Sequence, residues 1–269
     1  MPKAKVNGVN VSYKVEGRGE PLVLIMGFAG SRMGWIFQMI AFRKCFQVIT
    51  FDNRGVGSSD KPSGPYSMRT MADDTIGLMD HLGIDKAHIL GVSMGGMIAQ
   101  EVAINYPERV RKLVLGCTFA HIDDLGGHSS DYQKALGLGE GSSTDELRAI
   151  PLRKVLSAVF SLAFNSWLCK MSMVPVSKVY ARFMATEGVA AQLEAILGHN
   201  TLDRLHMIKA PTLVIMGTQD RLIRPSSSEA IANRIPNARL VGVEGGSHAF
   251  FVEMRGRFNR EVLDFLRCS

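Results

Sequence analysis

The sequence has little cysteine and no long apolar run. Four cysteines lie among 269 residues, without a Cys-x-x-Cys pair and without the spacing of zinc ligands. This scarcity predicts reduced thiols that pack in the interior, as in a cytoplasmic protein, and no metal site. Because no run of eighteen apolar residues occurs, we expect no membrane span. The polar first residues, Met1 to Lys5, do not resemble a secretory signal.

Charge of one sign is not concentrated either. Lys and Arg number 31 and Asp and Glu 25, which gives a formal net charge of +6. The basic residues are spread along the chain, with only a mild cluster at Arg255, Arg257 and Arg260. No basic run with interleaved aromatic residues occurs, so the sequence predicts no nucleic-acid partner.

The chain does contain a series of short, continuous apolar segments. Residues 6–15 predict a hairpin around Val6-Asn7-Gly8-Val9. Six later segments are typical of strands that are buried on both faces. They cover residues 21–26, 46–51, 87–91, 113–116, 212–217 and 238–243. Helical patterns separate them at 68–82, 97–106, 226–235 and 257–266.

This alternation predicts an α/β fold with a mostly parallel, eight-stranded sheet and helices on both faces. Residues 119–210 interrupt the alternation of strands and helices, because they contain no convincing strand. Within them, residues 151–173 predict a very apolar helix. We therefore expect a core made of residues 1–118 and 211–269. Residues 119–210 would form a helical cap, inserted after the sixth strand.

A G-x-S-x-G pattern lies at the turn from the third of these apolar segments to the next helix, at Gly91-Val92-Ser93-Met94-Gly95. The string alone is weak, since glycine and serine are common, but a strand-to-helix turn is the context that it requires. Small neighbours permit a sharp turn that presents the Ser93 hydroxyl at a helix N-terminus, where negative charge is favoured. We interpret Ser93 as a nucleophile.

A serine hydroxyl is a poor nucleophile and needs a base. With this motif the usual order along the chain is the serine, then an acidic residue, then the histidine that acts as base. Of seven histidines, only His248 follows Asp220, and it lies in a glycine loop after the last predicted strand. The alternative is a surface histidine without a role. Asp220 follows a predicted strand and is the preferred acid, while Asp123 and Asp124 remain competitors.

Two backbone N–H groups are predicted to stabilise an oxyanion, those of Phe28 and Met94. The alternative for Phe28 is a plain glycine turn. No metal or organic cofactor is required for such chemistry. Besides Phe28 and Met94, we expect Phe160, Phe164 and Trp167 to bind substrate, unless these aromatic residues only pack the cap onto the core.

With these residues in place, the chain resembles the α/β-hydrolase fold family, in its small serine esterase and enol-lactonase branch. The resemblance implies Ser93 as nucleophile, Asp220 as acid and His248 as base, and it is only weakly specific for the substrate. The apolar cap segment suggests short to medium acyl or aryl esters as the first candidates. Many relatives carry His-Gly where this chain has Met26-Gly27. The segments that carry the resemblance are Gly27 to Gly30, Phe51 to Ser59, Gly91 to Gly96, Gly217 to Asp220 and Gly246 to Phe251.

Several alternatives stay open within this resemblance. The same three residues would serve a lactonase or a hydrolase of carbon–carbon bonds. The Ser-Met-Gly-Gly string is also similar to cofactor-free haloperoxidases, which implies a perhydrolase side activity. A remote alternative is a ligand receptor built on the same fold. The expected partner is a small-molecule ester, and a homodimer is left open.

Overall fold

The fold is built on one twisted sheet of eight strands. A computed structural model describes residues 1–121, 129–139, 142–166 and 186–267. The strands are Lys3–Val6 (β1), Val9–Glu16 (β2), Glu20–Ile25 (β3), Phe46–Phe51 (β4), Ala87–Val92 (β5), Val110–Gly116 (β6), Thr212–Gly217 (β7) and Ala238–Val243 (β8). Their order in the sheet is β1-β2-β4-β3-β5-β6-β7-β8. β2 pairs antiparallel with β1 and β4, and the other neighbours are parallel.

Helices cover both faces of this sheet. They are Ile36–Phe42 (α1), Met68–His81 (α2), Met94–Asn105 (α3), Ser130–Leu136 (α4), Thr144–Arg148 (α5), Leu152–Leu162 (α6), Glu187–Leu197 (α7), Pro225–Arg234 (α8), Phe250–Glu253 (α9) and Arg255–Arg267 (α10). α2, α3 and α8 pack on one face, and α1 and α10 on the other. The predicted α/β fold with a mostly parallel sheet is confirmed.

Two clusters of buried side chains explain the layering. In β3, Val23 and Ile25 join the cluster of α2 and α3, whereas Leu22 and Leu24 join that of α1 and α10. Side chains alternate between the faces of a strand, so a strand that is apolar at every position fills both interfaces. This is why the central segments carry no polar alternation in the sequence. For 238–243 the prediction of burial on both faces is wrong: β8 lies at the edge of the sheet, and only Val243 in it is buried.

The predicted hairpin is present and begins earlier than residue 6. Asn7 and Gly8 form its two-residue turn with φ of +44° and +79°. Two successive positive φ values are what a type I′ turn requires, and Asn-Gly favours it. The helix after Ser93 begins at Met94 instead of residue 97, because the turn at Ser93 leads directly into it.

The helix predicted over 151–173 is wrong in its extent, because α6 ends at Leu162. Beyond it, tertiary hydrogen bonds take the place of helical ones. Ala249 N donates to Ala163 O (2.7 Å), and Asn165 N and Ser166 N donate to the Glu253 carboxylate (3.2 and 2.7 Å). Residues 167–173 lie outside the described residues.

The described parts of the insertion between β6 and β7 are mainly helical. They hold α4 to α7 and a 3₁₀ helix, Leu202–Met207, and one isolated bridge joins His121 to Asn200. This agrees with a helical insertion after the sixth strand, while the domain limits 1–118, 119–210 and 211–269 stay predictions. Within the part of the chain that the structure describes, no helix has both the length and the apolarity needed to cross a membrane.

Candidate active site

Ser93 occupies the sharp turn between β5 and α3. Its φ of +55° and ψ of −126° are strained values for a residue with a side chain, at a cost of about 1–3 kcal/mol. Hydrogen bonds hold this backbone at both its N–H and its carbonyl, which also accepts from Met97 N (3.3 Å). Ser93 N donates to Gly116 O (2.9 Å), while Ser93 O accepts from Gly96 N and from Thr118 Oγ1 (2.8 Å each). The surrounding structure thus fixes the strained turn.

The glycines around Ser93 are required by space. A Cβ on Gly91 would overlap the carbonyl oxygen of Gly95, and a Cβ on Gly95 would overlap that of Ile25. A Cβ on Gly96 would lie 2.6 Å from the Thr118 Cβ. The turn is therefore packed backbone against backbone, as the G-x-S-x-G pattern predicts.

Asp220 and His248 form a hydrogen-bonded pair with both residues only 7% exposed. His248 Nδ1 lies 2.8 Å from Asp220 Oδ2. The other carboxylate oxygen, Oδ1, accepts from Leu222 N and Ile223 N (2.8 and 2.9 Å). An acceptor at Nδ1 assigns the proton to that nitrogen, which leaves Nε2 of the neutral ring as a base.

The loops that carry this pair are locked together by their backbones. Thr218 N donates to Val243 O (3.0 Å), and Gln219 N donates to Gly246 O (2.9 Å). A Cβ on Gly217 would overlap Gly246 O, so the two loops meet where a larger residue would not fit. The Asp220–His248 distance is consequently set by strand pairing that continues past β7 and β8.

Ser93 and the Asp220–His248 pair lie at one edge of the sheet. β5 and β6 end opposite each other, at Val92 and Gly116, and β7 continues past Ile215, the partner of Gly116, to Gly217. Because the three strands are parallel, Ser93 and Asp220 follow the same carboxyl edge. The Ser93 hydroxyl makes no hydrogen bond with another described residue, His248 included. Hydrogen bonds of this kind often form only when substrate is bound.

Cys117 lies between these two groups without a role as a nucleophile. Its amide donates to Ile215 O (3.0 Å) on β7. Burial, and secondarily the charge of Asp220, raises the pKa of its thiol well above the usual range. The thiol is therefore protonated at neutral pH, and only a thiolate would be reactive.

Among the described residues, the two amides predicted to bind an oxyanion have no hydrogen-bond acceptor. Met94 is the first residue of α3, where an N–H has no partner within the helix. Within the described chain, neither Met94 N nor Phe28 N donates to a protein atom. A Cβ on Gly27 would lie 3.6 Å from Ser93 Oγ, so the Phe28 loop runs directly beside the nucleophile.

The loop after β4 supports the Phe28 loop from below. Asp52 Oδ1 accepts from Arg32 N (2.8 Å), and Asp52 Oδ2 contacts Arg32 Nη1 (3.1 Å). Asn53 Nδ2 donates to Met26 O (2.9 Å). The backbone of Met26 is held through this bond to Asn53.

Gln192 on α7 is a residue of this region that the sequence does not single out. It is fully buried. Its Oε1 accepts from Ala29 N (3.1 Å), and its Nε2 donates to Arg54 O (2.8 Å). The one signal in the sequence is its spacing from Val189 and Ile196, which places a polar side chain on an apolar helix face.

An apolar cavity of about 40 Å³ opens at Ser93. The remaining lining residues are Phe28, Met97, Phe119, Tyr132, Val155, Val159, Leu193, Ile196, Leu222 and Ile223. Phe160 is not among them and packs in a cluster near Phe28 and Leu156. Phe164 is half-buried and also does not line this cavity, while Trp167 lies outside the described residues, as do Asp123 and Asp124.

A family model described as the α/β-hydrolase fold matches residues 20–254. The chain belongs to the α/β-hydrolase fold family. It is an enzyme of this superfamily, and its relatives support hydrolase activity.

Three relatives illustrate the breadth of chemistry around this hydrolase. A protein of Azorhizobium caulinodans with the provisional name carbamate hydrolase RutD is 31% identical over 268 residues, with 98% of both chains covered. A protein of Mycobacterium tuberculosis, provisionally named non-heme bromoperoxidase BpoC, is 31% identical over 268 residues, covering 96% of this chain and 97% of its own. The enol-lactonase of Burkholderia xenovorans LB400 superposes with a TM-score of 0.82 at 29% identity, covering 98% and 99%.

The arrangement in this hydrolase can activate an alcohol and stabilise an oxyanion. It combines a hydroxyl at a helix N-terminus, an imidazole oriented by a carboxylate, and two amides that donate to no described protein atom. In the described ranges, no three His, Cys, Asp or Glu side chains come together as ligands for a metal ion.

Proposed function

We propose that this hydrolase cleaves carboxylic esters with short to medium acyl or aryl groups through a Ser93 acyl-enzyme. Ser93 is the nucleophile, His248 the base and Asp220 the acid that orients it. The observation that carries the proposal is the 2.8 Å pair of Asp220 and His248 at the sheet edge that also holds the strained Ser93 turn.

Acylation begins with attack of Ser93 Oγ on the ester carbonyl carbon. His248 Nε2 takes the hydroxyl proton, and the imidazolium that forms is stabilised by the Asp220 carboxylate. The carbonyl oxygen becomes an oxyanion and accepts from Phe28 N and Met94 N. When the intermediate collapses, His248 returns the proton to the departing alcohol, and the acyl group remains on Ser93.

Deacylation repeats these steps with water. His248 Nε2 takes a proton from the water as its oxygen attacks the acyl carbon. The same two amides hold the second oxyanion. The carboxylic acid then leaves, and the proton on His248 passes to Ser93 Oγ, which restores the free enzyme. The overall reaction of ester and water to alcohol and carboxylic acid needs no oxidant or reductant.

The cavity supports short, uncharged acyl groups as the first choice. Its volume of about 40 Å³ corresponds to about three water molecules, so longer chains need the cap side chains to move. None of the described lining residues is charged. Burial also raises the pKa of the Tyr132 phenol, which keeps it neutral. A carboxylate on the acyl chain would lose hydration there without gaining a cationic partner among the described lining residues.

Kinetics of Ser93→Ala on a panel of p-nitrophenyl esters, from acetate to octanoate, tests the proposal. Wild-type enzyme should be fastest on the short esters, and the variant should lose at least about 10³-fold in kcat while keeping its melting temperature. Near wild-type hydrolysis by purified, folded Ser93→Ala would rule out the mechanism.

A lactonase is the second candidate, favoured by the match to the enol-lactonase along nearly the whole chain. A lactone carbonyl would be attacked by the same Ser93, and its alcohol would stay attached to the acyl group. Adding lactones, carbamates and vinylogous diketones to the ester panel separates these chemistries by their relative kcat/KM. Tight binding with only a single turnover would instead indicate the ligand receptor.

A further inference from the structure

The Phe28 loop contains a turn whose conformation does not suit its own sequence. Gly30 N donates to Gly27 O (3.1 Å), which closes a β-turn with Phe28 and Ala29 at its centre. Ala29 has φ of +55°, while Phe28 is not among the residues with positive φ. Positive φ at the third position alone defines the type II turn, which favours glycine there. An alanine is strained in this place.

A type I turn is the alternative that alanine would prefer. It keeps the closing bond between Gly27 and Gly30 and rotates the central peptide, Phe28–Ala29, by about 180°. In the observed turn, this peptide presents Ala29 N–H to Gln192 Oε1 at 3.1 Å. After rotation, that N–H would point away, and the Phe28 carbonyl would turn towards an oxygen. Gln192 therefore distinguishes the two turns.

Gln192 is itself held in one orientation. It is fully buried, and its Nε2 donates to Arg54 O (2.8 Å). Exchange of its oxygen and nitrogen would set an N–H against Ala29 N–H and an oxygen against Arg54 O, so only one amide orientation satisfies both partners. The carboxamide is a rigid link between two loops of the core.

The helix that carries Gln192 is fixed against the core by direct backbone contact. A Cβ on Gly188, in the first turn of α7, would lie 2.6 Å from Gly55 Cα, and one on Gly55 would lie 2.7 Å from Gly188 O. Glycine at both positions allows this approach. The position of Gln192 is thus determined by where the insertion docks.

We propose that Gln192 is a positioning residue: by accepting from Ala29 N it keeps the type II turn, and it thereby anchors the residue next to Phe28 and sets where the loop holds the Phe28 amide for the oxyanion. This inference rests on the proposed function, in which Phe28 N stabilises the tetrahedral intermediate. Such a donor must be held to within about 0.5 Å of its productive place. Docking of α7 completes the oxyanion site, so the insertion takes part in catalysis besides covering the cavity.

Steady-state kinetics of Gln192→Met, Ala29→Gly and the double variant tests this role. Methionine has similar length and makes no such hydrogen bond, so Gln192→Met should lower kcat about 10- to 100-fold and change KM less than about threefold. Glycine removes the strain of positive φ. Adding Ala29→Gly to Gln192→Met should therefore recover most of the lost kcat, measured against Ala29→Gly alone.

Glu194→Met, an exposed change on the same helix, is the matched control and should keep kcat within about twofold. Unchanged kcat in Gln192→Met would overturn the proposal, and so would a loss that Ala29→Gly does not restore. Labelling of Ser93 by an organophosphate, located by peptide mass, distinguishes a wrong role for Gln192 from a wrong proposed function. If Ser93 is labelled in wild-type enzyme while the Gln192 variants behave otherwise than expected, only the role of Gln192 is rejected. Absence of the label in wild-type enzyme rejects the nucleophile itself.

Discussion

Asp220 offers a test that separates catalysis from stability, because its two carboxylate oxygens do different things. Oδ2 holds His248 Nδ1 at 2.8 Å, whereas Oδ1 accepts from Leu222 N and Ile223 N. In Asp220→Asn, the amide oxygen can keep both backbone N–H groups satisfied, and the NH₂ group faces His248. An NH₂ donor at Nδ1 imposes the wrong tautomer, in which Nε2 carries the proton and cannot act as a base.

The magnitudes follow from these contacts. Asp220→Asn should lower kcat by about 10⁴-fold, or about 5.5 kcal/mol of transition-state stabilisation, with little change in melting temperature. Asp220→Ala should be equally inactive and also leave two buried N–H groups without an acceptor. At about 1–3 kcal/mol each, this loss costs about 2–6 kcal/mol of unfolding free energy. The melting temperature should then fall by roughly 5–15 °C.

The assay pairs hydrolysis of p-nitrophenyl acetate with thermal unfolding of the same preparations. Asp123→Asn and Asp124→Asn serve as matched controls, since either residue is the competing acid in the sequence. A folded Asp220→Asn enzyme with kcat within tenfold of the wild-type value would refute the reasoning. Loss of activity in Asp123→Asn or Asp124→Asn would identify that residue as the acid instead.

Two further predictions concern packing and pH. Gly95→Ala should fail to give folded protein, because the new Cβ would overlap Ile25 O. Gly256→Ala is the control: it has open space around it and should keep or slightly raise the melting temperature in thermal unfolding. Burial lowers the pKa of His199 from 6.5 to about 3, so the unfolded chain binds more protons between these values and stability falls as pH drops through this range. Urea unfolding should show a slope of up to about 1.4 kcal/mol per pH unit that His199→Met removes; an unchanged slope would contradict it.

The sheet could be predicted well because its signal is local. The strands at 46–51, 212–217 and 238–243 have the bounds that the apolar segments predict. α1 was not predicted, because its segment carries no such local signal. Its inner face buries Met39 and Phe42, while Ile36 and Ile40 lie on the exposed side, so the segment has no apolar–polar alternation at helical spacing.

The order of Ser93, Asp220 and His248 along the chain, and their places after strands, predict that all three lie at one edge of the sheet, which is where the structure places them. Their catalytic roles stay a prediction. Nothing local predicts the role of Gln192, because its partners Ala29 and Arg54 lie far away in sequence and are reached only once the insertion docks. The end of α6 could not be predicted either, because the Glu253 carboxylate, distant in sequence, accepts from the backbone that follows the helix.

The central claim is that Ser93 is the nucleophile and His248 its base, and stoichiometric labelling by a p-nitrophenyl organophosphate tests it most directly. The account predicts one adduct per chain, located by peptide mass at Ser93, with loss of hydrolysis in proportion to labelling and labelling slowed at least about 10³-fold in His248→Ala. An adduct at another residue, or full labelling of Ser93 that leaves hydrolysis intact, would contradict it.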